Sequence, residues 1–252
     1  MELGLKGRVA IVGGSSEGIG YGIARLLAGE GASVAMVARR KDVLDSSVKK
    51  LIEETKGKAF AIQADIRKAE DCERIVADAA KHFGRLDILV NNDGAPPLGL
   101  LMDFDDKAWD QAVQRNLMSV VRLSRAAVPH MKQAGGGRIV NITALSVLQP
   151  MPKFGLSVAT WAAVIGYAKT LSLELAADKI TVNTICPGRV ATGRLATVFG
   201  QEADELARQV PLGRLGQPED IASLVGLLAS DKGGYITGST FHVDGGRRAS
   251  LL

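Results

Sequence analysis

The sequence predicts an α/β domain built on a doubly wound, seven-stranded parallel sheet. Three observations predict it. Short, near-continuous apolar runs alternate with amphipathic stretches from one end of the chain to the other, the pattern of strands buried on both faces by intervening helices. A glycine-rich turn, Gly13-Gly14-Ser15-Ser16-Glu17-Gly18-Ile19-Gly20, follows the first apolar run and opens the first amphipathic stretch, the context in which a glycine pattern carries meaning. The chain has 252 residues, 46% hydrophobic and 23% charged, which suits one domain with a substantial core. With no internal repeat, linker or low-complexity tract, residues 1–252 read as that single domain.

Val9-Ala10-Ile11-Val12 marks a first strand over Arg8–Gly13, and the glycine turn leads into a helix over Gly18–Ala28. Strand Ser33–Ala38 then alternates with helix Asp42–Lys56, strand Ala59–Gln63 with helix Ala69–Phe83, and strand Leu86–Asn91 with one long helix over Asp106–Ala134. Gly135-Gly136-Gly137 stops that helix before strand Arg138–Thr143. An apolar helix over Gly155–Ala177 precedes strand Thr181–Cys186. Pro218-Glu219-Asp220 opens a last helix to Ser230, with proline in the first turn, and strand Thr240–Val243 closes the sheet. Right-handed crossovers between such strands produce the doubly wound arrangement.

Composition narrows the function. A net charge of +4 is dispersed over short clusters such as Arg39-Arg40-Lys41 and Arg247-Arg248. No aromatic residues interleave them, so nucleic-acid binding is not expected. His82, His130 and His242 stand far apart without ligands at metal spacing, so no metal site is expected. No apolar run reaches about eighteen residues, no signal-like segment opens the chain, and Cys72 and Cys186 are distant. A cytoplasmic protein with no membrane attachment is the expectation.

The chemistry begins at the glycine turn. Without Cβ atoms, Gly14, Gly18 and Gly20 let the backbone turn tightly and approach phosphate oxygens, and the following helix N-terminus offers free N–H groups to a pyrophosphate. An NAD-binding site of this kind places a carboxylate at the end of the second strand, on the ribose 2′-hydroxyl. Here the strand ends Val37-Ala38-Arg39-Arg40, and Arg39 suits a 2′-phosphate. NADP(H) is therefore favoured; NAD(H) stays possible, and Glu17 argues mildly against the extra phosphate.

The G-x-x-x-G-x-G spacing, together with Leu86-Asp87-Ile88-Leu89-Val90-Asn91-Asn92-Asp93-Gly94, Asn116-Leu117, Arg138-Ile139-Val140-Asn141-Ile142, Cys186-Pro187-Gly188 and Val243-Asp244-Gly245-Gly246, resembles the short-chain dehydrogenase/reductase family over the whole chain. The resemblance implies a single-domain Rossmann fold. It also implies cofactor contacts at Gly14, Ser16, Glu17, Gly18, Ile19, Gly20, Arg39, Asp65, Ile66, Asn92, Gly94, Pro187, Gly188, Val190 and Thr192. A homotetramer through the fourth and fifth helices and the C-terminal segment is implied as well. In the family a serine, a tyrosine and a lysine carry the acid–base chemistry, with a helix asparagine holding a water. Here Ala144, Ser157 and Trp161 fall in the first three places and only Asn116 survives. The loop pattern is similar to a bacterial subgroup labelled 3-oxoacyl-acyl-carrier-protein reductases that also lacks the tyrosine–lysine pair.

Two functions stay open on this reading. One is an NADP(H)-linked oxidoreductase acting on a carbonyl or secondary alcohol through a non-standard proton relay; the other is a dinucleotide-binding protein without turnover. For the relay, Asn116, Ser157 and Ser146 are the candidates. Lys153, Tyr167 and Lys169 read as surface or packing positions. Asp93, where the family has alanine, is either a base or ribose ligand or a hydrogen-bonded turn residue. Leu98, Leu100, Leu101, Val198, Phe199 and Leu206 point to an apolar substrate pocket under a mobile segment from Arg189 to Val210.

Overall fold

The computed structural model describes residues 2–193, 195 and 202–250. Among them, seven strands form one sheet in the order β3-β2-β1-β4-β5-β6-β7. They are β1 Val9–Val12, β2 Ser33–Ala38, β3 Lys58–Gln63, β4 Ile88–Asn91, β5 Gly137–Ile142, β6 Ile180–Pro187 and β7 Thr240–Val243. Every pairing is parallel. Because β1 pairs with both β2 and β4, the winding reverses beside it, and a crevice opens there at the carboxyl ends of the strands.

Helices α1 Gly18–Gly29, α2 Lys41–Thr55, α3 Ala69–Phe83, α4 Asp106–Val113, α5 Ser119–Gln133, α6 Gly155–Glu174, α7 Ala203–Arg208 and α8 Pro218–Ala229 are described. Strand side chains alternate between the two faces. Ala10 and Val12 join Ile23, Leu27, Ile221 and Val225 of α1 and α8 in one core. Val9 and Ile11 join Ile75, Leu123 and Met131 of α3 and α5 in the other.

The expected helix over Asp106–Ala134 is interrupted. A single π-helical stretch, Gln114–Met118, separates α4 from α5, and such bulges turn a chosen side chain inward. Here that side chain is Asn116, which is buried. Helix α6 is by length and composition apolar enough to cross a membrane. In this fold it packs along β6, with Val164 and Ala168 buried and Leu173 exposed. Both cysteines are free and buried.

Candidate functional site

The glycine turn is held by its neighbours. Ser15 is fully buried; its hydroxyl donates to the Val12 carbonyl at 2.8 Å and accepts from the Val37 amide at 2.9 Å, tying the turn to β2. Asn92 donates to the Gly13 carbonyl at 2.9 Å. A Cβ on Gly20 would lie 2.2 Å from the Gly14 carbonyl oxygen, and Gly18, at φ +60°, would bring one to 3.2 Å from Thr192 Cγ2. Only glycine permits this closeness. The N-terminus of α1 carries no side-chain cap and no acidic residue in its first turn. Glu17, at the capping position, turns instead to Arg40 at 2.8 Å, so the first N–H groups of α1 stay open to an anion.

A cleft of about 410 Å³ runs across this turn. Twelve of the expected cofactor residues border it: Gly14, Ser16, Glu17, Gly18, Ile19, Gly20, Arg39, Asp65, Ile66, Asn92, Gly94 and Thr192. Arg40, Arg67 and Arg115 border it as well; sequence reasoning missed Arg67 and Arg115, which belong to no motif. The Asp65 carboxylate is gripped by Arg67 at 2.8 and 3.0 Å, which holds it below its ordinary pKa. Its backbone N–H donates to Asp71 at 2.7 Å.

A second chamber of about 180 Å³ continues from the first. Ile19, Asn92, Asp93 and Thr192 border both. Pro187, Gly188 and Val190 border the second chamber, as do Ala144, Ser146 and Trp161. Trp161 packs among Val120, Val164, Leu117 and Ala144, so the indole is a wall of the chamber. Ser146 is buried, and its hydroxyl has no hydrogen-bond partner among the described residues. Ser157 is 1% exposed, its hydroxyl likewise unpartnered, and it borders neither chamber. Asn116 Nδ2 donates to Thr160 Oγ1 at 2.8 Å.

The expected apolar lining is corrected. Leu98, Leu100, Leu101 and Leu206 do not border the second chamber; Met151, Phe154, Leu145, Ile142 and Leu195 do, beside the cations Arg189 and Arg247. The reason is local: Gly99 bridges to Phe154 and donates to the Lys153 carbonyl at 3.0 Å. Leu101 lies against Gly155 from outside, so this loop braces α6 rather than filling the chamber. Leu206 is instead fully buried, its carbonyl accepting from Arg189 at 3.2 Å. Val198 and Phe199 lie outside the described residues. Lys153 and Lys169 are exposed, and Tyr167 packs against the Trp161 cluster.

Asp93 is the outlier in charge. Its Oδ1 accepts from the Gly94 amide at 2.6 Å, while its Oδ2 is buried without a partner. Burial raises its pKa to about 6, against the opposing pull of that amide, Arg115 and Arg39.

A family model described as enoyl-(acyl carrier protein) reductase matches residues 14–248. The chain is 39% identical over 241 residues to the 3-oxoacyl-[acyl-carrier-protein] reductase of Staphylococcus epidermidis, covering 94% of this chain and 97% of that one. The structure of L-sorbose reductase from Gluconobacter frateurii, complexed with NADPH and L-sorbose, superposes with a TM-score of 0.94 at 33% identity, covering 100% of both chains. A 7α-hydroxysteroid dehydrogenase complexed with NADH gives 0.93 at 30% identity, covering 100% of this chain and 98% of that one.

Proposed function

The chain belongs to the short-chain dehydrogenase/reductase family, and from that membership we propose that it is an NADP(H)-linked oxidoreductase of the 3-oxoacyl-acyl-carrier-protein reductase kind, acting on a carbonyl or secondary alcohol through a non-standard proton relay. One observation carries the reading: a phosphate-ready glycine turn and a largely apolar chamber open into each other across Ile19, Asn92, Asp93 and Thr192. The glycine cradle, which any Cβ would close, fits a pyrophosphate.

When bound, the nicotinamide supplies the hydride; this chain's own residues bind, orient and handle the proton. Gly14, Gly18 and the open α1 terminus hold the pyrophosphate, and Arg39 selects the 2′-phosphate. Asp65, Ile66 and Gly94 border the adenosine end; Pro187, Gly188, Val190 and Thr192 the nicotinamide end. Asn116 and Ser146 are the polar groups proposed for the relay. Ser157, in the first turn of α6, is set back from both chambers. The substrate is a small, largely apolar molecule whose polar end meets Arg189 and Arg247. The working form is a cytoplasmic homotetramer, to which α6 offers the exposed Leu173.

A second reading, nucleotide binding without turnover, draws on Trp161 standing where the family has its lysine. Titration with NADPH and NADH, followed by a ketone panel read at the nicotinamide absorbance, separates them. Tight NADPH binding with ketone-dependent oxidation supports the enzyme. Binding without oxidation across the panel supports the second reading, and no binding of either nucleotide ends both.

A further inference from the structure

Two arginines border the second chamber, and they reach it from neighbouring strand ends: Arg189 follows β6 and Arg247 follows β7. The strands run too close there for a side chain between them. The Gly188 amide donates to the Val243 carbonyl at 2.9 Å, and a Cβ on Gly188 would lie 2.7 Å from Asp244 Cα. Past β7 the chain curls round the Asp244 carboxylate, which accepts from the Gly246 amide at 3.0 Å and the Arg248 amide at 2.7 Å. That turn spends Asp244 on backbone and carries Arg247 to the chamber.

The charges at this end do not balance. Arg189 is 8% exposed, and its Nη1 donates to the Leu206 carbonyl at 3.2 Å, which fixes the guanidinium in place. Arg247 is half-buried; among the described residues its guanidinium meets only the Met151 sulfur, 3.8 Å from both Nη1 and Nη2. A thioether is a weak acceptor. Burial, and after it the charge of Arg247, pull the Arg189 guanidinium below the ordinary arginine range, yet an arginine keeps its proton even so. Among the described residues bordering the chamber, Asp93 is the one carboxylate, and the charges acting on it most are those of Arg115, Arg39 and Asp65. Bringing two like charges to one cavity is costly unless an anion answers them.

The rest of the lining says what carries that anion. Leu145, Met151, Phe154 and Leu195 border the same chamber, which suits a hydrocarbon body. We propose that the second chamber takes an acid: a small oxo- or hydroxy-acid with an apolar body, its carboxylate held by Arg189 and Arg247 and its reacting carbon turned toward Ile19, Asn92 and Thr192, which border both chambers. Guanidinium groups match carboxylate oxygens in geometry as well as charge. A thioester or simple ketone brings no charge to this end, so an acid is preferred over its neutral relatives. The anion site stands on the arginines; its use as a substrate site rests on the oxidoreductase reading above.

The test sets an acid against its own ester. α-Ketohexanoate, its methyl ester and hexyl phosphate are titrated by tryptophan fluorescence into the whole protein, with and without saturating NADP. The acid is expected to bind at least about 10-fold more tightly than the ester, the worth of a charge-assisted hydrogen bond, with the advantage shrinking in high salt. Arg247→Gln is expected to remove most of this preference and Arg247→Lys to keep part of it. In turnover Arg247→Gln is expected to raise KM for the acid by about 10-fold with kcat little changed, as loss of uniform binding does; a merely structural role would affect acid and ester alike. Equal binding of acid and ester by the parent, or a preference that survives in both Arg247→Gln and Arg189→Gln, overturns the anion site. Tighter binding of hexyl phosphate than of the acid overturns the carboxylate assignment. An acid preference in binding with no oxidation of NADPH supports the anion site and overturns the oxidoreductase reading instead.

Discussion

The Arg40 guanidinium donates to the Glu17 carboxylate across 2.8 Å beside the cleft over the glycine turn. Glu17 is the acidic residue that argued against a 2′-phosphate, and its charge is answered before any ligand arrives. Its neighbour Arg39, exposed on the same rim, is left to meet the nucleotide.

Arg39→Ala is therefore expected to weaken NADPH binding by about 10- to 100-fold, the worth of a charge-assisted hydrogen bond, and to change NADH binding by less than about two-fold. Fluorescence titration of both nucleotides checks it. An equal loss for NADPH and NADH would remove Arg39 from 2′-phosphate recognition.

The glycine turn makes a paired prediction. Gly20→Ala places a methyl group 2.2 Å from a backbone carbonyl oxygen that cannot move without opening the turn, at a cost of about 2 kcal/mol or more in stability and with loss of nucleotide binding. Gly166→Ala meets nothing within 4 Å on the surface of α6 and is expected to stabilise by about 0.5–1 kcal/mol through helix propensity alone. Thermal melts of the two variants read both signs, and a Gly20→Ala protein that melts like the parent would show that the turn is not tightly packed.

The sheet was legible because strands buried on both faces read as apolar runs, and the glycine turn that borders the first cleft because its glycines sit between a strand and a helix. The break in the Asp106–Ala134 helix was not legible. Nothing at Gln114–Met118 is proline or glycine, and the π-helical stretch is fixed by tertiary packing around Asn116. Arg67 and Arg115 were missed for a similar reason: each reaches the cleft from a loop or bulge that only the fold brings near. The leucines from Leu98 to Leu101 were read as lining because they are apolar and close in sequence, yet Gly99 bridges to Phe154 and Leu100 and Leu101 are exposed.

Trp161 supplies a prediction about the second chamber. Its indole is 7% exposed and packed against Val120 and Val164, so Trp161→Ala is expected to cost about 3–5 kcal/mol. Trp161→Lys alone is expected to cost as much by burying a charge. On the proposed reading, combining it with Ala144→Ser and Ser157→Tyr rebuilds the family's trio, and NADPH-dependent ketone reduction is expected to appear or rise. A folded triple variant without reduction would show that these three positions are not the family's catalytic places.

Asp93 links pH to stability in a direction opposite to most carboxylates. Its pKa rises from 3.8 to about 6 on folding, chiefly through burial, so the native state holds the proton more tightly than the unfolded chain. The sign follows: the stabilising contribution of the protonated group is fully present below about pH 4 and is lost as pH climbs through about 6. Above that point the protein holds a buried carboxylate at a penalty of at most roughly 3 kcal/mol, two pKa units at about 1.4 kcal/mol each. Asp93→Asn keeps the shape and the amide contact from Gly94 but removes the charge. At pH 7.5 it is expected to melt higher than the parent, with the advantage shrinking steadily toward pH 4. Urea denaturation at several pH values measures the difference directly. A gap between the two proteins that does not change over this range would mean that Asp93 is ionised normally and that its burial costs the fold nothing.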